Sequence, residues 1–145
     1  MRTSLRTLLT LVVALPAIAA AQKTVVAIPG ANANPNLSAG VRVGDMLYAS
    51  GQLGTSRNPA DTTIESQTKN ALDNVKNVME AGGTSMANVV KCTVFLTRQS
   101  DFRAMNGVYQ TYFPKEPPAR STVIVAALVT ASALVEIECL AVVSK

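Results

Sequence analysis

TTIESQTKNALDNVKNVMEAGG, residues 62–83, is the stretch whose periodicity decides the fold class. Ile64, Ala71, Leu72, Val75, Val78 and Met79 recur at helical spacing, which predicts one apolar face of an amphipathic helix. Thr62 and Glu65 stand at capping-box spacing in front of it, and Gly82-Gly83 supply the stop. On either side the period drops to two. Upstream, VRVGDMLYASGQLG (41–54) alternates Val41 and Val43 with Arg42, turns at Gly44-Asp45 and runs extended again from Met46 to Ser50, a β-hairpin. Downstream, residues 89–97 are rich in β-branched types and read as a strand.

Further out, helical spacing returns in SDFRAMNGVYQTYFP (100–114). Phe102, Met105, Tyr109 and Tyr112 trace one face, Ser100 is the N-cap candidate, Asp101 suits the positive end of the helix, and Pro114 ends it. Gly107 in the middle weakens this helix by about 1 kcal/mol against alanine. Two last strands are predicted at about 121–128 and 134–143. The order β-β-α-β-α-β-β is an α+β domain, a mixed sheet with two helices on one face. Its other face lacks cover, and the run Thr122–Leu128 is apolar at nearly every position. That predicts a dimer or trimer interface.

The chain has 145 residues, enough for one domain. Residues 1–21 have the layout of a signal peptide: Arg2 and Arg6, an apolar run, Pro16, then Ala19-Ala20-Ala21 before Gln22. Its apolar part, Leu8 to Ala21, is too short to span a bilayer well. The expectation is an exported protein, periplasmic or secreted, with no stable membrane insertion after cleavage. Residues 22–34 form an N-terminal extension and 35–145 the domain. Cleavage lowers the net charge from +4 to +2 by removing Arg2 and Arg6, and no basic cluster remains to bind nucleic acid.

There is no histidine, which excludes Ser-His-Asp and Cys-His catalysis and histidine-containing zinc sites. Cys92 and Cys139 alone make no metal site. Both lie in apolar, strand-like runs and read more readily as buried free thiols than as a disulfide, because two strand interiors often cannot satisfy bridge geometry. Proton transfer must come from carboxylates, tyrosines, lysines or water.

Three places stand out for chemistry. In PKEPPARSTVIVAAL (114–128), Arg120 separates a proline-rich loop from a buried-type strand. A cation there needs a carboxylate, from the protein or from a ligand, and guanidinium offers a fork that fits one. In LVEIECL, Glu136 and Glu138 point to the same face of their strand. One suits a polar outer side; the other, Glu136, suits a crevice where it handles water. In YASGQLG, Ser50-Gly51-Gln52 is either a strand-end bend or a place where a ligand approaches backbone N–H groups.

Taken together, these motifs, with ALDNVKNVMEAGG and VVKCTVFLT in the same order, resemble the Rid (YjgF-type) family of enamine/imine deaminases. The similarity covers roughly residues 35–145. It implies a chorismate-mutase-like fold and a homotrimer with sites in the clefts between subunits, working without cofactor or metal. It implies that Arg120 binds the substrate carboxylate, helped by backbone N–H groups of Gly51 and Thr122. Glu136 would position the hydrolytic water, and Ser50, Asn106 and Leu37 would line the pocket. Thr122 stands where many members have cysteine, and Leu37 where many have an aromatic residue. The implied reaction converts 2-iminobutanoate or 2-iminopropanoate, or an enamine tautomer, to a 2-keto acid and ammonia. The rival reading is a non-catalytic trimer that binds a carboxylate ligand in envelope stress or signalling.

Overall fold

The computed structural model describes residues 22–55 and 62–143. The leader expected at 1–21 lies outside them. The described chain forms β1 (Lys23–Val26), β2 (Gly40–Val43), β3 (Met46–Ala49), β4 (Gln52–Leu53), α1 (Ile64–Ala81), β5 (Val89–Leu96), α2 (Phe102–Tyr112), β6 (Ala119–Ile124) and β7 (Val135–Val142). One sheet runs in the order β1-β2-β3-β7-β5-β6, with β4 also paired to β7. Only β5 and β6 are parallel, so the sheet is mixed. The expected α+β architecture is present. The extension contributes more than expected, because β1 pairs along β2.

Helix α1 forms where the apolar stripe is, and its ends differ slightly from the sequence reading. The N-cap is Thr63, not Thr62: the Thr63 hydroxyl accepts the Ser66 N–H at 3.2 Å. At the other end Gly83 takes φ +84°, and the Gly83 and Thr84 amides return to the Glu80 and Met79 carbonyls. This is the paired closure that left-handed glycine permits. Helix α2 does not use Ser100 as a cap. A short 3-10 turn, Gln99–Asp101, precedes it, and the buried Asp101 instead takes the Arg98 Nε donor at 2.8 Å. The Tyr112 hydroxyl donates to Asp73 at 2.6 Å and ties α2 onto α1.

Both helices cover one face of the sheet. Leu72, Val75, Val78 and Met79 of α1 and Met105 of α2 bury against Leu47, Val94, Leu96, Val135 and Ile137. Each such burial stabilises by about 1.5–3 kcal/mol. Phe102, expected on this face, is 42% exposed, since it lies one turn beyond the part of α2 that meets the core.

Cys92 and Cys139 correct the free-thiol reading, for they form a disulfide. The reason is register. β5 and β7 are antiparallel neighbours with Cys92 directly opposite Cys139, their Cα atoms 4.1 Å apart. That is the close approach of a facing antiparallel pair.

Among the described residues no helix covers the opposite sheet face. A row of Val25, Val41, Tyr48 and Leu140 crosses four strands there, and Val43, Val123 and Val142 extend it. No helix among the described residues is long and apolar enough to cross a membrane.

Candidate functional site

Arg120 is the second residue of β6, the edge strand of the sheet. Opposing residues of a ladder share a face. Arg120 lies opposite Cys92, itself opposite Cys139, so it projects on the helix-covered side. There the guanidinium carbon is 4.6 Å from the Tyr109 ring centre and 5.9 Å from that of Phe102. The ion pairs among the described residues are Lys69–Asp73, Lys76–Glu80 and Arg98–Asp101. Arg120 is in none of them. Asn106, Tyr109 and Gln110 of α2, with Pro117 and Pro118, complete a groove of about 510 Å³ around it.

Tyr109 was legible only as core. Its hydroxyl is buried with no hydrogen-bond partner among the described residues. Burial pushes its phenol up to about 12, and the nearby Arg120 charge opposes that rise. Thr122 follows Arg120 on the same face, opposite Val94. As β6 is an edge, alternate backbone N–H groups along it point away from β5.

Glu136 sits in a different place. It lies opposite Phe95 on β5 and Leu53 on β4, and Phe95 lies opposite Val123, so it projects on the helix-free face. The strand beside it is broken by a bulge. Tyr48 faces Leu140 and Gln52 faces Ile137, so β3–β4 spends one residue more than β7. The extra residue bends the strand at Ser50-Gly51. A Cβ on Gly51 would collide with Glu136 Oε1 and lie 2.8 Å from its Cδ. Only glycine lets that carboxylate rest there.

The bend is held from two sides. Asn70 and Asn74, one turn apart on α1, donate to the Gly54 and Leu53 carbonyls at 3.1 and 3.2 Å. The Ser50 hydroxyl donates to the Ser38 carbonyl at 2.7 Å, so its proton is committed to the fold. Leu37, 56% exposed, lines a second groove of about 330 Å³ that also reaches Gly51.

The candidate residues therefore fall into two groups. Arg120, Thr122 and Asn106 form one; Glu136, Gly51, Ser50 and Leu37 form the other. Arg120 and Glu136 are separated by two strand spacings and three residue steps, about 14 Å between Cα positions, and point to opposite faces. A single chain does not bring them together. Glu138 shares the face of Glu136, opposite Thr93. No three histidine, cysteine, aspartate or glutamate side chains among the described residues are grouped to hold a metal ion.

A family model described as Endoribonuclease L-PSP matches residues 29–143. The chain is 39% identical over 109 residues to 2-iminobutanoate/2-iminopropanoate deaminase of Dermatophagoides farinae, covering 73% of this chain and 84% of that protein. It is 36% identical over 107 residues to Reactive Intermediate Deaminase A, chloroplastic, of Arabidopsis thaliana, covering 72% of this chain and 57% of that one. The crystal structure of the YjgF gene product from E. coli matches with a TM-score of 0.73 and 36% identity, over 82% of this chain and 98% of that chain.

Proposed function

The chain belongs to the Endoribonuclease L-PSP family, the YjgF/Rid group, and on that premise we propose that it hydrolyses short 2-imino acids to 2-keto acids and ammonia. The observation that carries this is Arg120, a half-buried cation stacked on Tyr109, facing a groove, with no acid partner among the described residues. A guanidinium so placed fits a ligand carboxylate.

In the proposed assembly, a homotrimer, Arg120 of one subunit faces Glu136 of the next across their shared crevice. The uncovered apolar sheet face supports association. Arg120 holds the substrate carboxylate and Glu136 orients a water toward C2. Water adds to the C=N bond, giving a tetrahedral carbinolamine. The C–N bond then breaks, nitrogen leaves as ammonia, and the hydroxyl oxygen becomes the keto oxygen. The imine nitrogen keeps its own hydrogen and takes two more from the water, one on addition and one as the C–N bond breaks. Positioning and charge suffice because the imine is already electrophilic.

The test generates 2-iminobutanoate or 2-iminopropanoate with an amino-acid oxidase and follows its decay. The wild-type protein speeds it and Arg120→Ala does not; decay equal to buffer with both discards the reading. A second reading, a carboxylate-binding trimer without turnover, is favoured by Leu37, which brings no hydroxyl to the groove near Glu136. Tight 2-keto acid binding without imine turnover selects it. An RNA-cleaving role, which the name Endoribonuclease L-PSP suggests, draws no support from a chain without histidine whose net charge falls to +2 once Arg2 and Arg6 are removed.

The proposed setting is outside the cytosol. The leader-like start and the Cys92–Cys139 disulfide support this. A purified protein whose N-terminus is Gln22 by mass spectrometry agrees with it; an intact Met1 start in a cytosolic fraction refutes it.

A further inference from the structure

The groove at Gly51 has a character of its own. Ala27, Ile28, Ala33, Leu37 and Ala39 form its walls, with Gly51 between it and Glu136. None of its lining residues ionises. Three of its polar groups bond within the loop itself. Asn34 Oδ1 accepts the Asn36 N–H at 2.9 Å, Gln52 Nε2 donates to the Ser50 carbonyl at 2.9 Å, and the Ser38 carbonyl accepts Ser50. Asn32 and the Ser38 hydroxyl add polar edges to walls that are otherwise mainly aliphatic. At about 330 Å³ the groove lies at the low end of ligand pockets, ample for an amino-acid skeleton and small for a nucleotide.

The other groove is different in kind. It holds Arg120 with Asn106 and Gln110, and so suits the charged end of a ligand. A small carboxylic acid seated between the two grooves would present its acid to one subunit and its side chain to the other.

Resting on the deaminase reading above, we propose that the Gly51 groove selects substrate by side chain. It takes 2-imino acids with branched or extended aliphatic side chains, such as isobutyl and sec-butyl, in preference to those with methyl or hydroxymethyl. Leu37 and Ile28 are the specificity-determining residues. Burial of each methylene in an aliphatic wall favours binding by about 0.8 kcal/mol, or about fourfold. A groove shaped this way, with three more carbons buried, therefore separates isobutyl from methyl by on the order of 60-fold in kcat/KM.

The experiment compares imines released from leucine and from alanine by amino-acid oxidases, using the full chain. The expected result is faster turnover of the leucine-derived imine by the factor above, with Leu37→Asn and Ile28→Asn each lowering the leucine-to-alanine ratio. Equal rates for both imines, or a ratio that survives both substitutions, overturns the proposal. A parallel titration with 4-methyl-2-oxopentanoate and pyruvate separates this inference from the reaction it rests on. If no imine is turned over but the longer keto acid binds more tightly in a Leu37-dependent way, side-chain selection stands and the deaminase reading falls. If neither turnover nor binding discriminates, side-chain selection falls.

Discussion

The guanidinium carbon of Arg120 lies 4.6 Å from the centre of the Tyr109 ring, whose own hydroxyl is buried without a partner among the described residues. The ring stabilises the cation while leaving it without a counter-carboxylate. Such contacts contribute about 0.5–2 kcal/mol. Tyr109→Leu is therefore expected to raise KM, or the Kd for a 2-keto acid, by about 3- to 30-fold. Tyr109→Phe keeps the ring, removes an unsatisfied hydroxyl and should bind like wild type. Steady-state kinetics and keto-acid titration of both variants check this; equal binding by Tyr109→Leu refutes it.

Tyr109 also sets an alkaline limit on stability. Burial raises its phenol to about 12 from the ordinary 10.0, with Arg120 opposing, so the native state holds this proton more tightly than the unfolded chain. The associated stabilisation is fully present below pH 10 and is lost as pH rises toward 12. Denaturant midpoints measured across pH 9–12 should fall in the wild type and fall less in Tyr109→Phe.

Because Arg120 and Glu136 point to opposite faces of their own sheet, the proposed site needs two subunits. Arg120→Ala and Glu136→Gln should each be inactive. Mixed by co-refolding, they should regain activity, about a quarter of wild type for random cyclic trimers with one intact crevice in each mixed ring. No recovery in verified mixed trimers would show that the two residues do not share a site.

Gly51→Ala tests the bulge. Its Cβ enters space held by Glu136 Oε1, the flexible end of a side chain, so the carboxylate moves and the fold survives. A displacement near 1 Å is enough to cost about 100-fold in rate. Expected, then, is unchanged thermal unfolding with kcat/KM reduced to that extent.

The disulfide closes a long loop, with Cys92 and Cys139 separated by 47 positions. In the chain-entropy account this stabilises by about 4 kcal/mol. Cys92→Ala/Cys139→Ala should lose about 2–4 kcal/mol in urea unfolding. Both sulfurs belong to residues with no exposed surface, so a mild reductant should leave the native protein unchanged until it unfolds.

What was readable in the sequence depended on how local the cause was. Helix α1 and the β2–β3 hairpin follow from neighbours within a few residues, and only the cap moved, from Thr62 to Thr63. Arg120 stood out because prolines and a β-branched run flank it. The Cys92–Cys139 bridge was hidden because it arises from register between β5 and β7, which no local pattern encodes. Tyr109 was hidden for the same reason. Its spacing places it in the core, and only the packing of α2 against the start of β6 brings its ring under a cation. The division of the candidate residues between two faces likewise emerged from strand order, which sets Arg120 beside Cys92 and Glu136 beside Phe95.

The sulfur bridge has one more outcome. Between β6 and β7 the chain is exposed, Val129 to 93%, and offers an easy target to a protease. A clip at Val129 would leave Arg120 on one fragment and Glu136 on the other. Cys92 belongs to the first fragment and Cys139 to the second, so the nicked molecule stays in one piece and only a reducing gel would reveal the cut.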